Sequence, residues 1–185
     1  VGGLRNGYEY SRSANPTRTA LEECLAAIEA GNRGFAFASG LAAEDTVIRA
    51  LCRPGDHVVL PDDAYGGTFR LFDKVLTRYG LKFSYVDTSR LDLIEAAIQP
   101  KTRLLFLETS TNPRLRMPDL DAIAALAHAR GLIVVADNTF LGPALLRPLE
   151  HGADLVLHAA TKYLSGHGDA VSGVELHLHH VRVLV

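Results

Sequence analysis

Five short stretches of this 185-residue chain place polar, chemically capable residues at the ends of apolar runs. Ser39 and Gly40 follow "GFAFA". Tyr65 sits in the glycine-flanked "DDAYGG". Asn112 closes "LETSTN", Asp137 ends "LIVVAD", and Lys162 follows "DLVLHAAT". Each residue admits an ordinary reading beside a chemical one. Gly40 either makes a turn or leaves backbone N–H groups and a helix dipole facing an anion. Asp137 caps the next segment, coordinates a metal, or pairs with a protonated ring nitrogen. Tyr65 packs in the core or forms a flat plate against a planar ligand. Lys162 is a surface charge, a phosphate contact or a nucleophilic amine. An amine that attacks a carbonyl needs a lowered pKa, which the end of a buried strand would provide by desolvation.

The elements that must position these residues alternate along the chain. Leu21, Cys24, Leu25 and Ile28 recur at helical spacing and predict a helix over 19–31, with Thr19 and Glu22 as a capping box and Gly31 as its stop. A strand in "GFAFASG" leads to a helix over 41–52. The strand "HVVLP" (57–61) leads to the Tyr65 loop and a helix reaching Tyr79-Gly80. Strands over 82–87, 103–108, 132–138 and 154–160 follow, with helices over 91–98 and 119–131 between them. The strands are near-continuous apolar runs, as expected where helices cover both faces of a parallel sheet. The expectation is one α/β domain with six parallel strands, and in such sheets ligands bind beyond the carboxyl ends of the strands.

Composition narrows the function classes. With 48% hydrophobic residues the chain can bury a core, and 19 basic against 21 acidic residues give a net charge of −2 without a basic patch, which argues against nucleic acid as a partner. No apolar run reaches the ~20 residues of a membrane span, and no signal-peptide pattern occurs. Cys24 and Cys52, on apolar faces without a CxxC, read as buried, reduced thiols of a cytosolic protein. A dinucleotide-binding domain is disfavoured because no G-x-G-x-x-G follows the first strand. The opening at Val1 rather than Met suggests an incomplete chain.

An anion site at a helix start, an aromatic plate, a strand-end carboxylate and a lysine after the last strand together describe a pocket for pyridoxal phosphate. Six motifs sharpen this: "YSRSANPT" (10–17), "FASGLAA" (37–43), "DDAYGGTFRLF" (62–72), "ETSTNP" (108–113), "ADNTF" (136–140) and "HAATKYLSGHGD" (158–169). In their order and spacing the chain resembles the cystathionine γ-synthase/γ-lyase family of Cys/Met-metabolism enzymes across residues 8–174. The resemblance implies a three-layer, fold-type-I large domain of the PLP-transferase kind, with a mostly parallel sheet. It implies that Lys162 holds the cofactor as an internal aldimine and shuttles protons at the substrate's α and γ carbons. Asp137 would meet the pyridine nitrogen, and Tyr65 would stack on the ring and serve in acid/base steps. Gly40 and Leu41 would cradle the phosphate with the Thr161 hydroxyl, and Asn112 would lie near the 3′-oxygen. Tyr10 and Arg12 would reach the phosphate held by a neighbouring subunit, in a cytoplasmic homotetramer built as a dimer of dimers. An amino-acid substrate follows from the same resemblance, either cystathionine or an O-acylhomoserine, undergoing γ-replacement or γ-elimination in transsulfuration and methionine metabolism.

Three departures stand out. Ala159 replaces a phosphate-binding serine of the family, and Ser110 replaces a loop proline. The family has a further C-terminal domain that supplies an arginine for the substrate carboxylate, so that domain is expected to be missing here. The division expected is an arm over 1–18, a cofactor-binding domain over 19–174 and an atypical tail over 175–185. Leu176 and Leu178 alternate with His177 and His179 in that tail as in a last strand. His177, His179 and His180 have no acidic or cysteine partner in the sequence pattern, so no metal site is expected. Competing readings are an inactive cofactor-binding remnant, a methionine γ-lyase and an O-acetylhomoserine sulfhydrylase.

Overall fold

The computed structural model describes residues 7–177. Apolar runs become strands where both of their faces can be covered. Along β4 (Thr102–Glu108), Leu104 and Phe106 point to one side of the sheet and Leu105 and Leu107 to the other. On the first side they meet Val47 and Ile48 of α2 (Gly40–Leu51), with Phe72 and Leu76 from the helical stretch after the Tyr65 loop. On the second they meet Ile94 of α4 (Leu91–Ala97) and Ile123 and Ala127 of α5 (Leu120–His128). Fully burying one such side chain contributes about 1.5–3 kcal/mol, and this central layer is occluded on both faces. The result is a helix–sheet–helix sandwich.

The remaining strands are β1 (Arg33–Phe37), β2 (His57–Pro61), β3 (Lys82–Val86), β5 (Ile133–Asp137), β6 (Leu155–His158) and β7 (Gly173–His177). Their order across the sheet is β1-β7-β6-β5-β4-β2-β3. Six strands run parallel, and β7 lies antiparallel between β1 and β6. The expected parallel sheet is therefore present with an inserted seventh strand. Residues 178–185, including Leu178, His179 and His180, lie outside the described residues, as do residues 1–6 of the arm.

Two local expectations change. The first helix, α1 (Pro16–Ile28), begins before Thr19 because the Asn15 side chain accepts from the Thr17 and Arg18 N–H groups, with Pro16 preset at the first helical position. Glu22 makes no capping box; its carboxylate accepts from the Ala36 N–H of β1 at 2.9 Å. The helix covers the outer strands through Leu25 and Ala26, which pack with Ala160, Val174 and Leu176, so Leu21, Cys24 and Ile28 are left exposed. Of the two thiols only Cys52 is buried, and burial pushes its pKa up to about 12. The helix after Tyr65 also departs from regularity. It starts as α3 (Gly66–Phe69), widens to a π-helical segment over Arg70–Val75, and tightens to a 3₁₀ turn over Leu76–Tyr79 before the left-handed Gly80.

The inserted strand is held against the start of α2 by a close approach of two backbones. A Cβ at Gly173 would lie 2.3 Å from the Ser39 carbonyl oxygen and 2.6 Å from the Gly40 nitrogen. Neither atom belongs to a side chain that can rotate away. Gly173→Ala is expected to destabilise the chain by about 1–3 kcal/mol, the range for overpacked sites, seen as a lower urea midpoint. An unchanged midpoint would mean that β7 can move off α2 freely.

Candidate active site

The carboxyl ends of the parallel strands, the first turn of α2 and the loops after β2 and β4 enclose a cavity of about 540 Å³. Gly40, Leu41, Tyr65, Asn112, Asp137, Thr161 and Lys162 all line it, so residues spread over more than a hundred positions converge on one space. Tyr10 and Arg12 do not line it. They are exposed on the segment before α1, the Arg12 guanidinium 5.2 Å from the centre of the Tyr10 ring.

One end of the cavity is made of backbone. Ser39 caps α2, its hydroxyl accepting from the Ala42 N–H at 3.2 Å. Gly40 and Leu41 occupy the first turn, where N–H groups have no acceptor within the helix and the dipole favours negative charge. Gly40 is needed here because a Cβ would come 2.8 Å from that of Ala159. The Thr161 hydroxyl lies alongside but is engaged, donating to the Ser172 carbonyl at 3.2 Å and accepting from the Ser172 N–H at 3.0 Å.

The other end is acidic. The β4–β5 register sets Glu108 directly beside Asp137 where both strands stop. Asp137 Oδ1 accepts from the Thr139 N–H at 2.9 Å and from its hydroxyl at 2.5 Å, and that hydroxyl oxygen accepts from the Ala159 N–H. Asp137 Oδ2 takes no hydrogen bond among the described residues. Burial raises the Asp137 pKa, while the Thr139 donors and the nearby His158 pull it down. The buried Glu108 has both oxygens occupied by backbone donors, Oε1 by the Tyr65 N–H at 2.7 Å and Oε2 by the Asn112 N–H at 3.3 Å. Burial pushes its pKa up to about 8, against the Tyr65 N–H and with the repulsion of Asp137. A third carboxyl, Glu44, is buried as well. It accepts from the Thr68 hydroxyl at 3.1 Å through Oε1, and Oε2 has no partner among the described residues. Its pKa is raised well above the ordinary carboxylate range, by burial first and by Asp137 second.

Lys162 corrects an expectation. It sits on a turn beyond β6, its N–H bonded to the Ala159 carbonyl at 3.0 Å, and its side chain is exposed rather than sunk at a strand end. The protein surface alone does not desolvate it, because β6 stops at His158 and the chain has already turned outward. Glu44 and Glu108 are the ionisable cavity residues, among those described, that the sequence leaves without a role. A signal exists for each. Glu44 stands on the apolar stripe of α2 with Val47, Ile48 and Leu51, at i+3, i+4 and i+7. Glu108 ends a strand exactly as far along as Asp137 ends its neighbour, but pairing register is invisible in one sequence.

Three carboxyl groups and a single lysine face this cavity, and unclaimed N–H groups lie at one end. A matching ligand carries an anion at the helix end, a cationic or N–H-bearing ring toward Asp137, and an electrophilic carbon within reach of Lys162. Pyridoxal phosphate has these three features in that order.

Comparison with known proteins agrees. The family of Cys/Met metabolism PLP-dependent enzymes matches residues 2–180. The chain is 57% identical over 173 residues to cystathionine gamma-synthase of Mycobacterium tuberculosis, covering 94% of this chain and 45% of that protein. It is 53% identical over 173 residues to cystathionine beta-lyase of Coxiella burnetii, covering 93% of this chain and 44% of the other. The crystal structure of cystathionine gamma-lyase from Lactobacillus plantarum complexed with L-serine superimposes with a TM-score of 0.91 at 50% identity, covering 94% of this chain and 45% of that one. The chain thus spans less than half the length of these relatives.

The raised Glu108 carboxyl has a consequence for stability. A carboxyl that holds its proton more tightly when folded favours folding at low pH. That contribution is complete below the unfolded value near 4.5 and is lost as pH rises toward about 8. Without cofactor, the native chain is expected to lose denaturation midpoint relative to Glu108→Gln across this window. Parallel pH profiles for the two proteins would show that Glu108 titrates as an ordinary carboxyl.

Proposed function

The chain belongs to the Cys/Met metabolism family of PLP-dependent enzymes, and from that premise we propose that it carries the cofactor site of a transsulfuration or methionine-metabolism enzyme acting on cystathionine or an O-acylhomoserine. The observation that carries the proposal is the convergence of seven motif residues on one cavity with an anion-binding end, an acidic end and a lysine between flanking loops. When bound, the cofactor supplies an electron sink for the carbanion formed at the substrate's α carbon.

The roles of the chain's own residues follow from their surroundings. The Gly40 and Leu41 N–H groups hold the phosphate at the start of α2. Asp137, fixed by Thr139 through one oxygen, keeps the other for the proton on the ring nitrogen. Tyr65 would offer its ring as the stacking plate, and Asn112 would lie near the cofactor's 3′-oxygen and the substrate carboxylate. Lys162 would be the amine that holds the cofactor, and the base that moves a proton at the substrate's α carbon. Tyr10 and Arg12, exposed and outside their own cavity, are assigned to the phosphate of a second copy in a homo-oligomer. A cytoplasmic setting belongs to the same reading. Within the described residues no helix is long and apolar enough to cross a membrane. Relatives named as synthase, beta-lyase and gamma-lyase match with similar identity, so replacement and elimination are to be separated by assay.

Incubation with pyridoxal phosphate followed by borohydride is expected to leave a cofactor-sized mass on the peptide containing Lys162, absent in Lys162→Ala. No such adduct would overturn the proposal. Product analysis with cystathionine, and with an O-acylated homoserine plus cysteine, then tests turnover. Cofactor fixed without product from either would favour a non-catalytic remnant. Ala159→Ser restores a hydroxyl beside the phosphate end and is expected to tighten cofactor binding about tenfold, the size of one hydrogen bond to a charged group. Equal dissociation constants would remove residue 159 from the phosphate site.

A further inference from the structure

Glu108 ties together the backbones of two cavity-lining residues on different loops. It leaves the sheet at the end of β4 and is nearly fully buried, at 3% exposure. Its two carboxylate oxygens part to two different loops. Oε1 accepts from the Tyr65 N–H, 43 residues earlier, and Oε2 from the Asn112 N–H, four residues later. The two residues gripped by their amides, Tyr65 and Asn112, both line the cavity. Two further ties join the same loops farther from it. The Thr111 hydroxyl donates to the buried Asp63, and Arg116 bridges Asp62 at 2.8 Å and Asp87 at 3.1 Å. Those ties hold the loops together, but neither reaches the backbone of a cavity-lining residue.

We infer that Glu108 is a positioning residue that sets the distance between the Tyr65 ring plate and Asn112, and thereby fixes how the planar ligand is oriented between them. The inference rests on the cofactor-site reading above. Once ionised, above about pH 8, the carboxylate suits the task because it offers an acceptor on each of two oxygens, and here each meets one N–H donor. Glutamine has the same length and shape but only one acceptor oxygen, so its amide NH₂ must face one of the two N–H groups and that tie is lost. The Asp63–Thr111 and Arg116 contacts keep the loops attached in such a variant, so loss of position is separable from loss of fold. Nothing in this role requires Glu108 to contact reacting atoms.

Glu108→Gln supplies the test, read in two ways. In cofactor-free protein above about pH 8, where Glu108 is ionised, amide hydrogen exchange is expected to speed up at Tyr65 or Asn112 by about tenfold in the variant, while amides of β4 and β5 keep their protection. In the presence of pyridoxal phosphate, the variant is expected to bind about tenfold more weakly, with a changed circular-dichroism band of the bound cofactor, because ring orientation sets that signal. Unaltered exchange at both amides would overturn the inference. So would altered exchange with native affinity and an unchanged band. If the native chain takes no cofactor yet the variant's two amides exchange faster, the clamp stands and the cofactor reading falls. If the native chain binds cofactor and the variant is identical to it in both measurements, the reverse holds.

Discussion

The site depends on one register. Parallel pairing of β4 with β5 places Glu108 against Asp137 at the last rung of both strands, in a layer occluded by helices on both sides. Two carboxyl groups held side by side with little water repel one another and resist ionising together. The surroundings answer this differently for each. Asp137 is given hydrogen-bond donors on one oxygen and keeps the other open, whereas Glu108 is given a backbone N–H on each. The pair, with Glu44 nearby, makes the acidic end of the cavity a place where a positive group is favoured. Among the described residues Lys162 is the one basic side chain lining that space, so a cationic ring would complete the electrostatics that the fold begins.

The end of the cavity at the start of α2 is built on a different principle. There the polar groups are backbone N–H groups of the first turn of α2, placed by glycine contacts that admit no side chain. Gly40 lies against Ala159, and Gly173 lies against Ser39 and Gly40, so α2, the turn beyond β6 and the start of β7 meet within a few ångströms. The antiparallel insertion of β7 between β1 and β6 is what brings the third of these partners in. Backbone contacts of this kind are short and stiff. The loop walls carrying Tyr65 and Asn112 depend instead on side-chain ties, and their geometry follows Glu108.

How much of this was legible in the sequence differs with the kind of information required. The strands of the parallel sheet follow from continuous apolar runs, since burial on both faces leaves no alternation to misread. The convergence of Gly40, Tyr65, Asn112, Asp137 and Lys162 follows from their shared position at strand ends, given that one end of such a sheet collects ligands. What pairing decides was not legible. The place and direction of β7, the adjacency of Glu108 and Asp137, and the early start of α1 depend on long-range partners or on a cap, Asn15, that competes with the plausible Thr19 box. The helical stripe of Leu21, Cys24 and Ile28 obeyed the helix period, yet α1 covers only the outer strands and turns a narrower face to them.

Lys162 shows how such a difference bears on chemistry. The sequence places it after an apolar run and suggests an amine desolvated by its own strand. In the structure β6 ends four residues earlier and the lysine stands exposed on a turn fixed by the Ala159 carbonyl. The strand therefore does not bury the amine, and its surroundings depend on what occupies or covers the cavity. On the proposed reading, a planar ring against Tyr65 would lay an apolar surface beside the lysine and turn its nitrogen toward Asp137. That apolar environment would be assembled by binding rather than stored in the fold. Tyr65 becomes the residue through which that environment is delivered, and its placement passes back to the Glu108 carboxylate and so to the β4–β5 register.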